Sequence, residues 1–86
     1  MSFEVPARVR IDDAAALVAR GRAAVLAGEA TIDLARAVDF DSSLIACLID
    51  WKRQALSRRS DLALINVPPG LRSIASLYGV EATLFA

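Results

Sequence analysis

The chain has 86 residues, of which 56% are hydrophobic, so it can build one compact core but has no room for a second domain. Ten basic residues balance ten acidic ones, and a net charge of zero argues against a nucleic-acid-binding surface or a polybasic membrane anchor. The lack of histidine removes the commonest general base and metal ligand, and a single cysteine excludes an intramolecular disulfide.

The apolar segments also bear on where the protein works. Glu4 and Pro6 stand where a signal peptide needs a basic start followed by a long apolar run. The apolar stretches 14–19 and 44–49 are too short to span a bilayer. We therefore expect a cytoplasmic protein that inserts no segment directly into the membrane.

The first elements follow from the pattern of residues 3–28. Apolar and polar residues alternate over 3–11, which predicts a half-buried strand. Pro6 weakens this prediction because proline cannot donate a backbone hydrogen bond to a neighbouring strand. We expect an edge strand, a bulged strand or two short pieces. Asp12 and Asp13 then precede an alanine-rich segment that ends at Gly28, which predicts a first helix with an acidic start and a glycine stop.

The middle of the chain predicts a strand, helix, strand unit. Segments 30–34 and 62–67 are short and apolar, which is typical of buried strands, and 43–58 has helical periodicity. Such a unit almost always places its two strands in parallel within one sheet.

The C-terminal part predicts a third helix and a last strand. Pro68 and Pro69 suit the first turn of a helix over 70–78, and 81–85 is predicted as a final short strand. Together, these elements predict one α/β domain over 1–86, in which helices pack on a small mixed sheet.

The remaining side chains offer little for catalysis. The glycines stand singly, so the sequence contains no phosphate-binding loop, dinucleotide fingerprint or nucleophile elbow. Asp39 and Asp41 stand two residues apart, as in some metal or acid/base pairs, but helix capping and turn formation use such residues more often. We therefore expect a non-enzymatic protein with no cofactor and no metal.

The segment 39–44 has two interpretations. As structure, Asp41 or Ser42 caps the free amide groups at the start of the second helix, which alone justifies both residue types. As function, a serine at the positive end of a helix tolerates a phosphate, which would add about two negative charges to the surface.

Several motifs, in this order and spacing, resemble one known family. Thr31-Ile-Asp-Leu34 and then Asp41-Ser-Ser43 at the opening of a helix resemble the STAS domain, whose members include anti-sigma-factor antagonists and the cytoplasmic tails of sulfate transporters. The resemblance is closest to the MlaB-like branch, on three further features. These are Trp51, Asn66-Val-Pro68 and Leu77-Tyr-Gly-Val80. A STAS-like fold is thereby implied over nearly the whole chain.

The resemblance also implies a partner. MlaB-like proteins bind the ATPase subunit of the Mla ABC transporter, which moves phospholipids and maintains outer-membrane lipid asymmetry in Gram-negative bacteria. The resemblance therefore implies that this chain is an accessory subunit that binds and supports the ATPase of a permease complex. The subunit would be held at the inner membrane through that partner. The alternative that it implies is an anti-sigma-factor antagonist regulated by phosphorylation of Ser42.

The chain departs from the family pattern in two places. Leu44 takes a position where the family usually has a small residue, often glycine, so the surface beside Ser42 is expected to be bulkier and less suited to a kinase. The usual N-terminal edge strand is short or missing. That leaves a sheet edge for something to cover, and a homodimer is one expectation.

Both long helices carry more apolar residues than one core needs. On the first helix, the side with Leu17 and Val25 is expected in the core, and the opposite side either meets a partner or exposes alanine at little cost. On the second helix, the apolar stripe that contains Ile45 is expected to pack on the sheet together with the stem of Lys52. That leaves a second apolar stripe, with Leu44, Cys47 and Trp51, for a partner. Trp51 is thus expected to bind a partner, and the alternative is that it is an ordinary core residue.

The predicted partner-binding surface joins the opening of the second helix to the outer sides of both helices. It comprises Asp41, Ser42, Ser43, Leu44, Cys47 and Trp51, together with Ala19, Arg20, Ala23 and Leu26 of the first helix.

Overall fold

A computed structural model describes residues 2–85 as short strands interleaved with helices. The strands are β1 (Phe3–Glu4), β2 (Arg8–Val9), β3 (Thr31–Asp33), β4 (Asp39–Phe40) and β5 (Ala63–Ile65). The helices are α1 (Ala14–Leu26), α2 (Ser43–Ser57), α3 (Pro69–Leu77) and α4 (Glu81–Phe85). None of these helices is both long enough and apolar enough to cross a bilayer.

The strands form two small parallel sheets. β3 lies between β1 and β5 and pairs with both, while β2 pairs with β4. Pro6 separates β1 from β2, which confirms the prediction of two short pieces. The predicted α/β class, with helices on a small sheet, is confirmed. Every strand pair within residues 2–85 is parallel, in place of the mixed sheet that the sequence predicts.

The helices packed on the sheet cover one of its faces. In the three-stranded sheet, the in-register row Phe3, Ile32 and Leu64 faces the core, with Ile32 fully buried and the other two partly buried against it. The next residue along each strand points to the opposite face because side chains alternate along a strand. There, Ile65 is 38% exposed.

The prediction of a final strand over 81–85 is wrong, since this segment forms α4. Gly79, with φ of +72°, ends α3, and the amide of Val80 donates to the carbonyl of Ala75 at 2.9 Å. The chain then turns into α4, which buries Leu84 in the core. Five residues are too few for periodicity to distinguish a buried strand from a helical turn.

The helices α1 and α2 lie side by side and run in the same direction. Near their starts, the Cys47 thiol lies 3.9 Å from the carbonyl oxygen of Ala14. Near their ends, Arg58 donates to the carbonyl of Leu26 at 2.7 Å. Because the contacts advance together along both helices, the two N-termini lie at the same end of the domain.

Trp51 is the centre of the contact between these helices. Its side chain is fully buried, its indole N–H donates to the carbonyl of Val18 at 3.1 Å, and its ring meets the Phe3 ring edge-on at 5.5 Å. A Cβ atom at Gly21 would lie only 2.2 Å from the indole, so α1 reaches this position because residue 21 has no side chain.

We predict that Gly21→Ala destabilises the fold although alanine is the better helix former. The new methyl group would overlap a rigid, fully buried ring, and such overpacking costs about 1–3 kcal/mol. Gly70→Ala, in the first turn of α3, is the matched control because its Cβ would meet Phe40 at an ordinary 3.7 Å. Urea unfolding measures both, and equal stability of the two variants would contradict this packing.

Candidate functional site

The N-termini of α1 and α2 meet because the strands that lead into them are paired. β2 and β4 are parallel, with Val9 opposite Phe40, so their carboxyl ends lie at the same edge. The chain turns from each strand into the following helix within a few residues. The carboxyl edge of parallel strands is a common location for binding sites in α/β folds.

Asp41 links the two helix starts. One carboxylate oxygen accepts hydrogen bonds from the backbone amide of Ser43, at 2.9 Å, and from the Ser43 hydroxyl. The other accepts from the amide of Ile11, in the turn before α1, at 3.1 Å. The hydroxyl and amide of Ser43 lower the pKa of Asp41, so this carboxyl group is ionised at neutral pH.

Ser42 has no part in capping. It occupies the N-cap position of α2, but its hydroxyl makes no capping hydrogen bond, and its side chain is exposed. Of the two capping residues that the sequence predicts, Asp41 is the one that bonds to the helix amide. Ser43, by contrast, is buried against Asp41.

Asp39 does not form an acid/base pair with Asp41. Its carboxylate accepts from the guanidinium of Arg10, with Nε at 2.8 Å, and this ion pair raises the pKa of Arg10. Within residues 2–85, no group of three or more Cys, Asp or Glu side chains is arranged to hold a metal ion.

An open groove of about 630 Å³ runs between α1 and α2 from this edge. Its walls are small and apolar, with Ala15 and Val18 on the α1 side and Ala46 on the α2 side. Ile11, which is 77% exposed, lies at the mouth beside the segment 41–43. The groove therefore offers apolar surface next to a fixed carboxylate.

An ion pair between the two helices follows one turn further on. The Arg22 guanidinium donates to the Asp50 carboxylate at 2.7 and 3.2 Å, four residues beyond Val18 and Ala46 respectively. This pair joins the outer sides of α1 and α2 beyond the residues that line the groove.

A second, smaller groove lies on the other side of the α2 N-terminus. It has a volume of about 280 Å³ and is lined by Ile45 and Ile49 together with Tyr78 and Val80. Ser42 and Ala46 belong to both grooves. The exposed Ser42 hydroxyl thus stands on a ridge between two apolar depressions.

The prediction that Leu44, Cys47 and Trp51 face a partner is wrong. All three side chains are at most 1% exposed, because α1 covers the side of α2 that carries Cys47 and Trp51. The other stripe of α2 is also in the core, with Ile45 and Leu48 buried. The two apolar stripes of α2 therefore reflect burial on two sides, and the alternative of a core Trp51 is confirmed.

The outer side of α1 is exposed, as expected. Ala19, Arg20 and Ala23 are exposed, and Leu26 is 41% exposed. Their role in partner binding stays a prediction. The sequence did not predict the groove walls formed by Ala15 and Ala46, since alanines at exposed helix positions give no distinctive signal. The signal that could have indicated this groove is the meeting of two helix starts at one edge of paired strands.

A family model described as "Mlab, STAS domain" matches residues 4–85. The chain belongs to this family of MlaB-like STAS domains. Comparison with curated proteins and with solved structures gives no match. STAS domains are generally non-enzymatic interaction modules, so membership supports a protein-interaction role for this STAS domain.

We predict that Ser42→Ala changes the free energy of unfolding of this STAS domain by less than about 0.5 kcal/mol, since the hydroxyl makes no capping bond. Asp41→Ala should destabilise it clearly more, because the amides of Ser43 and Ile11 lose their acceptor.

The contribution of Asp41 should also depend on pH. It is complete above the pKa of an unfolded aspartate, about 3.9, and is lost as the pH falls through the lower folded-state value. Urea unfolding at neutral and acid pH measures this. Equal losses in Ser42→Ala and Asp41→Ala would contradict the assignment of the cap.

We predict that Cys47 is unreactive toward Ellman's reagent in the folded domain. Burial, and next the charge of Asp50, raise the pKa of the thiol to about 11, so its thiolate fraction at pH 8 is roughly two orders of magnitude below that of a free cysteine. The same chain unfolded in urea is the control and should react at once. Rapid labelling of the folded domain would show that Cys47 is accessible after all.

Proposed function

We propose that this STAS domain is an accessory subunit that docks onto the ATPase of an Mla-type phospholipid ABC transporter. The MlaB-like family model supports a role in protein interaction, and its name points to this class of transporter. In that role the domain contributes no catalysis. It supports the ATPase and is held at the inner membrane through it.

The observation that carries the proposal is the open groove at the shared end of α1 and α2. Ala15 and Ala46 are exposed and small, so a partner backbone can approach both helices closely. Ile11, largely exposed at the mouth, has apolar area to bury on docking. Asp41 holds the two helix starts in place, so the docking surface is preorganised before the partner arrives.

Residues on the outer side of α1 extend this surface in the proposal. Ala19 and Ala23 follow Ala15 at intervals of four residues, so the three alanines lie along one side of the helix. A partner seated in the groove therefore also meets this side of α1. Arg20 follows Ala19 directly, Leu26 lies near the end of the same helix, and both are exposed as well.

The alternative, an anti-sigma-factor antagonist regulated by phosphorylation of Ser42, stays a prediction. Gene neighbourhood separates the two roles: adjacent permease and ATPase genes favour the transporter, and an adjacent serine kinase gene favours the antagonist.

We predict that Ala46→Arg weakens binding to the ATPase subunit encoded with this chain by about 30-fold, equivalent to about 2 kcal/mol. The long, charged side chain would fill the groove from the α2 side. Ala82→Arg is the matched control, because Ala82 is also an exposed helical alanine but lies on α4. Calorimetric titration gives both affinities, and thermal melting confirms folding.

Two results would contradict the proposal. If Ala46→Arg and Ala82→Arg bind as tightly as the wild type, the docking surface lies outside the groove. If the wild-type chain shows no binding to the ATPase, the proposed partner is wrong.

A further inference from the structure

The mouth of the α1–α2 groove carries an excess of negative charge. Four acidic side chains and two basic ones come from the turn before α1 and from β2, β4 and the residue after β4. They are Asp12, Asp13, Asp39 and Asp41 against Arg8 and Arg10. The positive ends of two helices stabilise acids here, but each helix supplies only about half a charge, so a negative excess remains.

The two arginines are shared unevenly among these four acids. Arg10 is engaged with Asp39, and Arg8 lies 2.5 Å from Asp13 but 3.5 Å from Asp12. The Asp12 side chain is 70% exposed. Asp41 lines the groove and forms no ion pair within the described residues 2–85.

Closing an apolar partner over this mouth has an electrostatic consequence. Covering an ionised carboxylate without a counter-charge is costly, because the charge loses its hydration. Hydrogen bonds from Ser43 and Ile11 satisfy part of the Asp41 carboxylate and also keep it ionised. A cation on the partner would offset the remaining charge.

This inference rests on the proposed function. We propose that the ATPase inserts an amphipathic helix into the groove. An apolar side chain of that helix lies in the groove, and a lysine or arginine of the same helix pairs with Asp12 and Asp41 at the mouth of the groove. A helix in a groove between two helices is a common mode of recognition, in which apolar anchors give affinity. The cation fixes which end of the partner helix lies at the α2 N-terminus, since the acidic excess lies at that end of the groove.

The test uses Asp12→Lys in the full chain, because Asp12 lies at the mouth without capping α2 or lining the groove. Reversing this charge should weaken binding to the ATPase subunit about five- to tenfold at about 50 mM salt, mainly through the association rate, and less at about 500 mM. Asp61→Lys, at an exposed acid between α2 and β5, is the matched control and should bind like the wild type. Biolayer interferometry gives both rate constants.

A rescue experiment identifies the cation. Exposed lysines and arginines of the ATPase are replaced singly by glutamate, and one of these variants should bind Asp12→Lys more tightly than it binds the wild-type chain. Such a swap of preference would show a direct pairing.

The outcomes separate this inference from the proposed function. If the wild-type chain binds and Ala46→Arg does not, but Asp12→Lys binds with unchanged rates at both salt concentrations, the groove is the docking site and the cationic partner is wrong. If the wild-type chain does not bind the ATPase at all, the proposed function fails and this inference fails with it.

Discussion

The contact between Trp51 and α1 determines the spacing on which the rest of the domain depends. The indole fills the space beneath Gly21 and donates to a backbone carbonyl of α1, so the two helices are held by packing and by a hydrogen bond at one point. The carbonyl belongs to Val18, which also lines the groove, so this contact fixes the spacing of the two helices there. Trp51 therefore shapes the groove through the position of α1, although it is itself fully buried.

Asp41 links the two helices at the mouth of the groove, as Trp51 links them further along. One carboxylate accepts hydrogen bonds from the start of α2 and from the turn before α1. Strand pairing alone would bring these segments together with some freedom, because β2 and β4 have only two residues each. The carboxylate adds a specific link at low cost, since the helix amides that it satisfies would otherwise lack partners.

The sequence predicts most of the fold because its strongest signals are local. Pro6, the alanine-rich run before Gly28 and the apolar pattern of 43–58 each act within one element. The errors arise where the answer depends on a neighbouring element. Periodicity shows that α2 has two apolar stripes, but only the position of α1 decides that Trp51 is covered. β4 has too few residues for any periodic pattern, and it is defined by its pairing with β2.

The candidate site differs from the surface that the sequence favours because burial depends on neighbouring elements there too. The sequence predicts large apolar residues such as Leu44 and Trp51 as interface anchors, but a chain of 86 residues needs them in its own core. What remains for a partner is the space that small residues leave open, at Ala15 and Ala46, bordered by the exposed Ile11. In the proposed complex, the anchoring side chain then comes from the partner. In that complex, this domain contributes the groove and the negative charge at its mouth.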